Sequence, residues 1–166
     1  DRNLSRGLGD VYKRQRRNGV CKRFFDNQQL KCSKYYVDDK LNGETVEYYR
    51  NGNRKRVLYH LEGKLNGTVY KFSFDNSLQF KCHYIDNKRD GYSLEYCTNN
   101  TNNRHHLKME PMLKRAVLYE DGKKNGKAFL YDEKGNLNYI FEYLNDKFHG
   151  IQTCLKADDD DDDDDK

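Results

Sequence analysis

Five lysines recur in one sequence context and are the side chains best suited to bind a charged partner. Each stands three residues before a glycine, and each has Asp, Glu or Asn within two residues of it. A regular row of ammonium groups suits an anionic partner such as lipid headgroups, an acidic protein or a nucleic acid. The alternative, which we favour, is that the lysines keep a series of turns soluble and that their neighbours neutralise them. The candidate row is Lys40, Lys64, Lys88, Lys123 and Lys147.

The cysteines and histidines do not form a recognisable metal motif. None of the five cysteines has the two- to four-residue spacing of a zinc site. We expect Cys32 and Cys82 to lie on a packed face, where Cys behaves as a small apolar residue. The odd number of cysteines favours a reducing compartment. His105 and His106 could meet a third histidine at a metal, but adjacent residues of a strand point to opposite faces, so we expect no metal site.

Motifs for catalysis are missing from the sequence as well. The 166 residues contain no nucleophile elbow, no Walker loop and no dinucleotide fingerprint. Carboxylates are plentiful, but they do not recur as an inward-facing pair. We therefore expect a protein that is not an enzyme, with no catalytic residue and no cofactor.

A repeat of 24 residues organises these side chains. The glycines that mark it are separated by 24, 24, 24, 35 and 24 residues, so the long interval is one period plus an insertion of 11. Turn-forming residues recur in the middle of the repeat, as in Asn51-Gly52. Each unit therefore predicts a strand, a turn, a second strand and a second turn. The units start near Gly19, Gly43, Gly67, Gly91, Gly126 and Gly150.

Two columns of aromatic residues accompany the glycines. Apolar residues occupy alternate positions within each predicted strand, which is the period of a β-strand. We expect them to form one packed aromatic face, with the other face mostly in water. The expected repeat-core aromatics are Phe24, Tyr36, Tyr48, Phe72, Tyr84, Tyr96, Tyr119, Tyr131 and Tyr143.

The fold class that follows is all-β: an elongated single antiparallel sheet of tandem hairpins, each of about 24 residues. The mean hydropathy is low, −1.20, but the chain has 14 Tyr and 8 Phe. A repeat array packs each unit against its neighbours and needs no large globular core, which reconciles the two figures. No apolar run reaches the length of a membrane span.

The two ends of the chain differ from the repeats. Residues 5–15 resemble a translated sequencing adapter, so we expect residues 1–15 to be non-native and the chain to be a metagenomic or transcriptome-derived fragment. Residues 158–166 are a poly-Asp tail, which we expect to be disordered because like charges repel one another. The tail could be native, a translated triplet repeat or a tag. The native repeat array is then 16–157.

The insertion, 99–112, lengthens the turn of the fourth hairpin. It is rich in Asn and ends at Pro111 and Met112, which is typical of an exposed loop. Arg104, His105 and His106 make it a candidate contact loop, because insertions in repeat proteins often carry binding. The alternative, which we favour, is a tolerated loop without a role, since loop length costs little stability.

One stretch carries a family resemblance. The sequence Gly-Glu-Thr-Val-Glu-Tyr-Tyr-Arg-Asn-Gly at 43–52, followed by Tyr59 and by Glu-Gly-Lys-Leu-Asn-Gly at 62–67, resembles the MORN repeat family in its shorter bacterial-type variant. The same skeleton recurs from Gly126 to Gly150, and the resemblance covers about residues 16–155. The first repeat departs from it, because Gln28 replaces the mid-turn glycine. The resemblance implies an elongated twisted sheet that acts as an interaction scaffold. Some eukaryotic members bind membrane surfaces and phosphoinositides, and some bacterial relatives are labelled antitoxins.

These observations predict a non-enzymatic protein-binding scaffold in the cytoplasm. One alternative is a peripheral membrane adaptor that binds anionic phospholipid through the lysine row, and another is the targeting fragment of a larger enzyme. A protein is the expected partner. Nucleic acid is disfavoured because the aromatics are needed for packing rather than for base stacking. The unpaired edges of an open array also allow edge-to-edge self-association.

Overall fold

The computed structural model describes residues 16–97, 111–150 and 152–155. Throughout that part of the chain the regular structure is β-strand, and no helix there has the length and apolar character of a membrane span. The predicted segments 1–15 and 158–166 lie outside the described residues, as do positions 99–110 of the insertion. The strands are β1 (Gly19–Phe24), β2 (Leu30–Val37), β3 (Lys40–Tyr48), β4 (Arg54–Leu61), β5 (Lys64–Leu65), β6 (Gly67–Phe72), β7 (Leu78–Ile85), β8 (Lys88–Tyr96), β9 (Leu113–Glu120), β10 (Lys123–Tyr131), β11 (Leu137–Leu144), β12 (Lys147–Phe148) and β13 (Thr153–Cys154).

All of these strands belong to one open antiparallel sheet. Their order follows the chain, β1-β2-β3-β4-β6-β7-β8-β9-β10-β11-β12, while β5 pairs with β4 and β13 pairs with β11. Each glycine-marked strand forms a hairpin with the strand that follows it, and each hairpin pairs with the next. The predicted single sheet of tandem hairpins is confirmed.

Two-residue turns connect each hairpin to the next. Val37 and Lys40 form the pair that closes the first of them, and both residues inside every such turn have a positive φ. This is the type I′ geometry, whose twist matches that of antiparallel strands. Asp, Asn and Gly tolerate a positive φ best, which explains most of the residues found there. The turns are Asp38-Asp39, Glu62-Gly63, Asp86-Asn87, Asp121-Gly122 and Asn145-Asp146.

Longer turns close each hairpin at the opposite edge of the sheet. In the second hairpin the Gly52 N–H donates to the Tyr49 carbonyl at 3.0 Å, and the Tyr49 N–H donates to the Asn53 carbonyl at 2.8 Å. This pattern is a type I turn followed by a residue with positive φ. Gln28 takes that position in the first hairpin with φ 64°, where an L-residue other than Gly is disfavoured.

The insertion enters the fourth hairpin at this longer turn. The Cys97 N–H donates to the Met112 carbonyl at 2.9 Å, which is the bond that Tyr49 and Asn53 make in the second hairpin. The hairpin is therefore closed in the usual way, and the additional residues are added beyond the closing bond.

The recurring glycines lie where the first strand of each hairpin bulges against the preceding hairpin. In β3, Thr45 pairs with Lys34 and Leu41 pairs with Tyr36, so two extra residues are accommodated around Gly43. Gly43 has φ 80°, a conformation that glycine adopts without steric cost.

The aromatic side chains are divided between the two faces, so the prediction of one aromatic face and one wet face is wrong. Gly43 pairs with His60 and Val46 pairs with Val57, so up to the bulge beside the longer turn an odd-numbered residue faces an even-numbered one across the hairpin. Cross-strand partners share a face. Positions of equal parity in the two strands of a hairpin therefore lie on opposite faces.

We call the two surfaces face A and face B. Face A carries the paired row that contains Val46, Val57, Tyr70, Leu94 and Phe129. Face B carries the rows that alternate with those of face A, with the second aromatic column at Tyr36, Tyr84, Tyr119 and Tyr143 and the residues Val69, Phe80 and Cys82.

The buried core consists mainly of small side chains, and most of it lies on face B. Val69, Phe80 and Cys82 form its centre, with Leu58, Leu65 and Tyr84 packed against them. None of the nine predicted core aromatics is fully buried, and Phe24 is 58% exposed. They cover the core rather than form it, because a single sheet has no second layer to enclose a large ring. Cys32 and Cys82 are buried, as expected. The buried residues are Cys32, Thr45, Val46, Val57, Val69, Phe80, Cys82, Ser93, Ala116, Val117 and Ala128.

Candidate binding surface

The five lysines of the candidate row occupy equivalent places at the edge formed by the two-residue turns, which we call the turn edge. Each is the first residue after a turn and pairs with the last residue before it, as Lys64 does with Leu61. Equivalent residues are two strands apart, or about 10 Å. All five are exposed: Lys40, Lys64, Lys88, Lys123 and Lys147.

Carboxylates of the turns lie between these lysines. Lys88 Nζ is 2.7 Å from an oxygen of Asp121, Lys64 Nζ is 3.6 Å from Asp86, and the equivalent Arg16 is 3.6 Å from Asp38. Each acid belongs to the turn one repeat further along the sheet. The turn edge therefore alternates in charge, which is the arrangement expected if the lysines serve turn solubility. These pairs are exposed and contribute little stability individually.

A series of backbone hydrogen bonds joins successive turns beneath these charges. The second residue of each turn donates its N–H to a carbonyl of the preceding hairpin, as Gly63 does to Leu41 at 2.7 Å and Asp146 to Lys124 at 3.0 Å. Where that residue is Asp or Asn, its side chain also accepts a bond in return, as Asn87 does from the Leu65 N–H at 2.7 Å.

The pKa of Asp39 reflects this series of hydrogen bonds. Its carboxylate accepts a hydrogen bond from the Arg17 backbone N–H at 2.9 Å and another from the Arg17 Nε at 3.1 Å. These two bonds hold its pKa below the usual Asp value. The turn thus stays charged and fixed to its neighbour in mildly acidic solution.

Exposed apolar side chains accompany the lysines on face A. Leu61, Ile85 and Leu144 immediately precede turns and are 53%, 47% and 47% exposed. The register places eight of the twelve large exposed apolar residues on this face. The sequence analysis did not identify these residues. The signal was present, because an aliphatic residue precedes every turn except the fourth, which Glu120 precedes. The eight are Val20, Tyr35, Val37, Tyr59, Leu61, Ile85, Tyr92 and Leu144.

Positive charge is concentrated in the first two hairpins rather than along the lysine row. Residues 16–39 carry six basic and three acidic side chains, whereas residues 123–146 carry four of each. The excess lies mainly around the longer turns, where residues 22–31 and 46–56 contain seven basic side chains and two acidic ones. We call this region the basic corner. The net charge of the whole chain does not show this region.

Aromatic rings support the cations of the basic corner. Lys31 Nζ lies 5.6 Å from the centre of the Phe25 ring, and Lys55 Nζ lies 5.5 Å from that of Tyr49. The Arg50 guanidinium is 5.3 Å from the Phe25 ring and 3.0 Å from Asp26. Together with the backbone N–H of Asp26 itself, Arg50 lowers the pKa of that carboxyl group. Arg50 thus joins the second hairpin to the first at this corner, while Lys31 and Lys55 each contact a ring of their own hairpin.

Chemically reactive arrangements are not a feature of this surface. A hollow of about 510 Å³ at the turn edge is lined by Arg16, Val37, Asp38, Lys40, Asn42 and Glu62, a mixture of both charges. Within the described ranges no three His, Cys, Asp or Glu side chains gather as metal ligands. Arg104, His105 and His106 lie outside the described residues, so the contact loop stays a prediction.

The chain was also compared with known proteins. No family model and no curated protein matches it.

Proposed function

We propose that the protein is a non-enzymatic, MORN-like scaffold that binds protein partners along face A. The observation that carries the proposal is the exposed apolar row at the turn edge of that face. Eight of the twelve large exposed apolar residues lie on face A, and apolar residues gathered on one face in this way mark an interaction site.

The pairing of aliphatic residues with lysines along the turn edge suits a protein partner. At four of the five turns an aliphatic residue and a lysine form a cross-strand pair, for example Leu61 with Lys64 and Ile85 with Lys88. At the remaining turn Glu120 pairs with Lys123. Pairs repeat about every 10 Å along the sheet. Apolar anchors with a charged margin are typical of protein interfaces, where apolar burial gives affinity and charge gives orientation.

The alternating charge at the turn edge argues against the membrane adaptor. Attraction to anionic lipid depends on several unpaired cations acting together, whereas Asp86 and Asp121 partner Lys64 and Lys88. We expect no sedimentation with phosphatidylserine vesicles at about 0.15 M salt. Sedimentation that disappears when the five row lysines become Ser would favour the adaptor instead.

The experiment that tests the scaffold uses folded protein domains that were selected for binding to any part of the chain. Folded domains selected from a displayed library against the whole chain are titrated against a variant carrying Leu61→Ser and Ile85→Ser. The matched control is Phe148→Ser, which alters a residue that is 61% exposed on face B. We expect most binders to lose about tenfold or more in affinity for the first variant, or about 1.4 kcal/mol. They should keep their affinity for the control, and equal losses in both variants would contradict the proposal.

A further inference from the structure

The residue two places before each repeat glycine has a backbone N–H that points towards a turn. This turn is the two-residue turn that follows the hairpin to which the residue belongs. In three hairpins the second residue of the turn is Asp or Asn, and its side-chain oxygen accepts the N–H. The three pairs are Arg17 with Asp39 at 2.9 Å, Leu65 with Asn87 at 2.7 Å and Lys124 with Asp146 at 2.9 Å.

Gly122 leaves this place open in the fourth hairpin. The Gly122 N–H donates to the Arg89 carbonyl at 2.8 Å, which is the backbone bond found at the other turns. Arg89 pairs with Tyr84, next to the pair of Ile85 and Lys88 that closes the preceding turn, so the Arg89 N–H points away from β7. Gly122 has no side chain to accept it. The Arg89 N–H therefore faces a place that a carboxylate or amide oxygen fills in the other three hairpins.

The Arg89 side chain adds a positive charge beside this place. Arg89 lies on face B, because it pairs with Tyr84 and cross-strand partners share a face. Its Nε donates to the Tyr84 hydroxyl at 3.2 Å and its Nη1 to the Tyr119 hydroxyl at 2.9 Å. Phenol hydroxyls are neutral, so these bonds hold the half-buried guanidinium in position and leave its charge uncompensated. Nη2 makes no hydrogen bond to the residues that the structure describes.

The first hairpin shows which group fits between these donors. Arg17 is the equivalent of Arg89 and lies 4.5 Å from the centre of the Tyr36 ring, as Arg89 lies 5.0 Å from that of Tyr119. Asp39 stands where Gly122 does, and its carboxylate accepts both the Arg17 N–H at 2.9 Å and the Arg17 Nε at 3.1 Å. The fourth hairpin thus has the same two kinds of donor, a backbone N–H and a guanidinium, without the carboxylate.

The acidic side chains around Arg89 are engaged elsewhere. Asp121 is 2.7 Å from Lys88 Nζ, and Glu95 is 2.6 Å from Arg115. Asp90 follows Arg89 in the strand and therefore points to face A. Arg89 has no ion pair within ranges 16–97, 111–150 and 152–155.

We infer that Arg89, through its guanidinium and its backbone N–H, binds an Asp or Glu carboxylate of a partner protein at the fourth turn, beside Gly122. Hydrogen bonds between a guanidinium and a carboxylate are charge-assisted and stronger than those between neutral groups. Gly122 is exposed at the turn edge, whereas free small molecules are held in enclosed pockets. The carboxylate is therefore carried by a larger partner that covers the site. This inference goes beyond the proposed function, because Arg89 lies on face B and the site does not use face A.

The second hairpin provides an internal comparison. Gly63 also lacks a side chain, and its N–H donates to the Leu41 carbonyl at 2.7 Å. Leu41 stands where Arg89 does and carries no charge. We therefore expect no carboxylate site at Gly63, and this turn is the control in each experiment.

The experiment follows the amide and Nε–H signals of the 15N-labelled full chain by NMR during titration with two peptides. They are Gly-Gly-Glu-Gly-Gly and Gly-Gly-Gln-Gly-Gly, blocked at both ends so that the Glu side chain carries the only carboxylate. We expect saturable shifts of the Arg89 amide and Nε–H, with an affinity for the Glu peptide about tenfold or more above that for the Gln peptide. The Leu41 amide should not shift.

Three results of this titration would overturn the inference. One is the absence of a saturable shift at Arg89, and another is an equal affinity for the two peptides. The third is tighter binding of inorganic phosphate than of the Glu peptide, which would assign the site to a phosphate group.

Two variants test the roles of the turn and of the guanidinium. Gly122→Asp supplies the carboxylate from within the chain and should weaken peptide binding by about tenfold or more, whereas the matched Gly63→Asp should not. Asp is found at this turn position with φ 65° at Asp39 and 69° at Asp146.

A Cβ at position 122 would lie 3.3 Å from the Lys88 Cβ, so the second variant leaves the turn unchanged. Arg89→Leu copies Leu41 and Leu65, and it should lose the peptide while its circular dichroism stays that of the wild type. Wild-type affinity for the Glu peptide in folded Arg89→Leu would overturn the inference by itself.

Discussion

Alanine substitution at three equivalent glycines should have three different costs, and the difference can be worked out from local geometry. Gly67, Gly91 and Gly126 each begin a repeat and have φ values of 122°, 78° and 98°. A Cβ at position 91 would have no neighbour within 4 Å. A Cβ at position 126 would lie 2.9 Å from Leu118 Cδ2, and one at position 67 would lie 2.9 Å from Tyr59 Cβ.

The magnitudes follow from what each neighbour can do. Gly91→Ala suffers only from its positive φ, at about 1 kcal/mol. Gly126→Ala also displaces the end of a leucine side chain, which can rotate, for a total of about 2 kcal/mol. Gly67→Ala meets an atom fixed to the backbone of β4, so the strands themselves must separate, and overpacking of this kind raises the total to about 3 kcal/mol.

Urea unfolding followed by circular dichroism measures these differences as shifts in midpoint at constant slope. Two double variants sharpen the test. Leu118→Ala should relieve much of the cost of Gly126→Ala, because it removes the atom in contact. Tyr59→Ala should not relieve Gly67→Ala, because alanine retains the Cβ. Equal costs at the three glycines, or rescue of Gly67→Ala by Tyr59→Ala, would refute the steric reasoning.

Three further outcomes are expected. Gln28→Gly should stabilise the chain by about 1 kcal/mol in urea unfolding, because it removes a non-glycine residue at φ 64°. Burial, with a smaller effect of Lys34, lowers the pKa of His60 from its usual 6.5. The unfolded chain therefore binds the proton first, and stability should fall as the pH drops through about 6.5. His60→Tyr, which copies the residue in the other repeats, should remove that fall. Cys82 has no exposed surface and burial raises the pKa of its thiol, so a thiol reagent at neutral pH should label Cys21 and Cys154 far sooner.

Each of these outcomes has a result that contradicts it. No gain from Gln28→Gly would mean that the turn is held by contacts that favour the glutamine. An unchanged pH profile in His60→Tyr would assign the acid sensitivity to other groups. Labelling of Cys82 as fast as Cys21 in the native chain would mean that the centre of the sheet opens readily, which peptide mapping of the labelled sites would reveal.

The hairpins could be predicted because their determinants are local. A glycine every 24 residues and a two-residue polar turn before each lysine define where strands begin and end. The position of the lysines at one edge followed directly from that periodicity. Both predictions needed only the 24-residue period and the residue types within each turn.

The faces and the charge pattern depend on register, which the period alone does not contain. Whether Val46 shares a face with Val57 or with Leu58 depends on the length of the turn between them, and a shift of one residue reverses every side chain. The pairing of Lys88 with Asp121 joins residues 33 positions apart, across the insertion. The excess of cations near Arg50 and Lys55 could be counted in the sequence, but its position at one corner required the sheet.

The closing bond between Cys97 and Met112 makes the longer turns natural points for grafting. The ends of the inserted segment meet at one backbone hydrogen bond of 2.9 Å, so a foreign domain whose termini lie equally close could be joined there without shifting either strand. The second, third and fifth hairpins close with the same bond, at Tyr49, Ser73 and Asp132. Domains grafted at these turns would lie along one edge of the sheet, spaced by about 10 Å for each repeat. The number of hairpins between two grafting points would therefore set the distance between the groups displayed there.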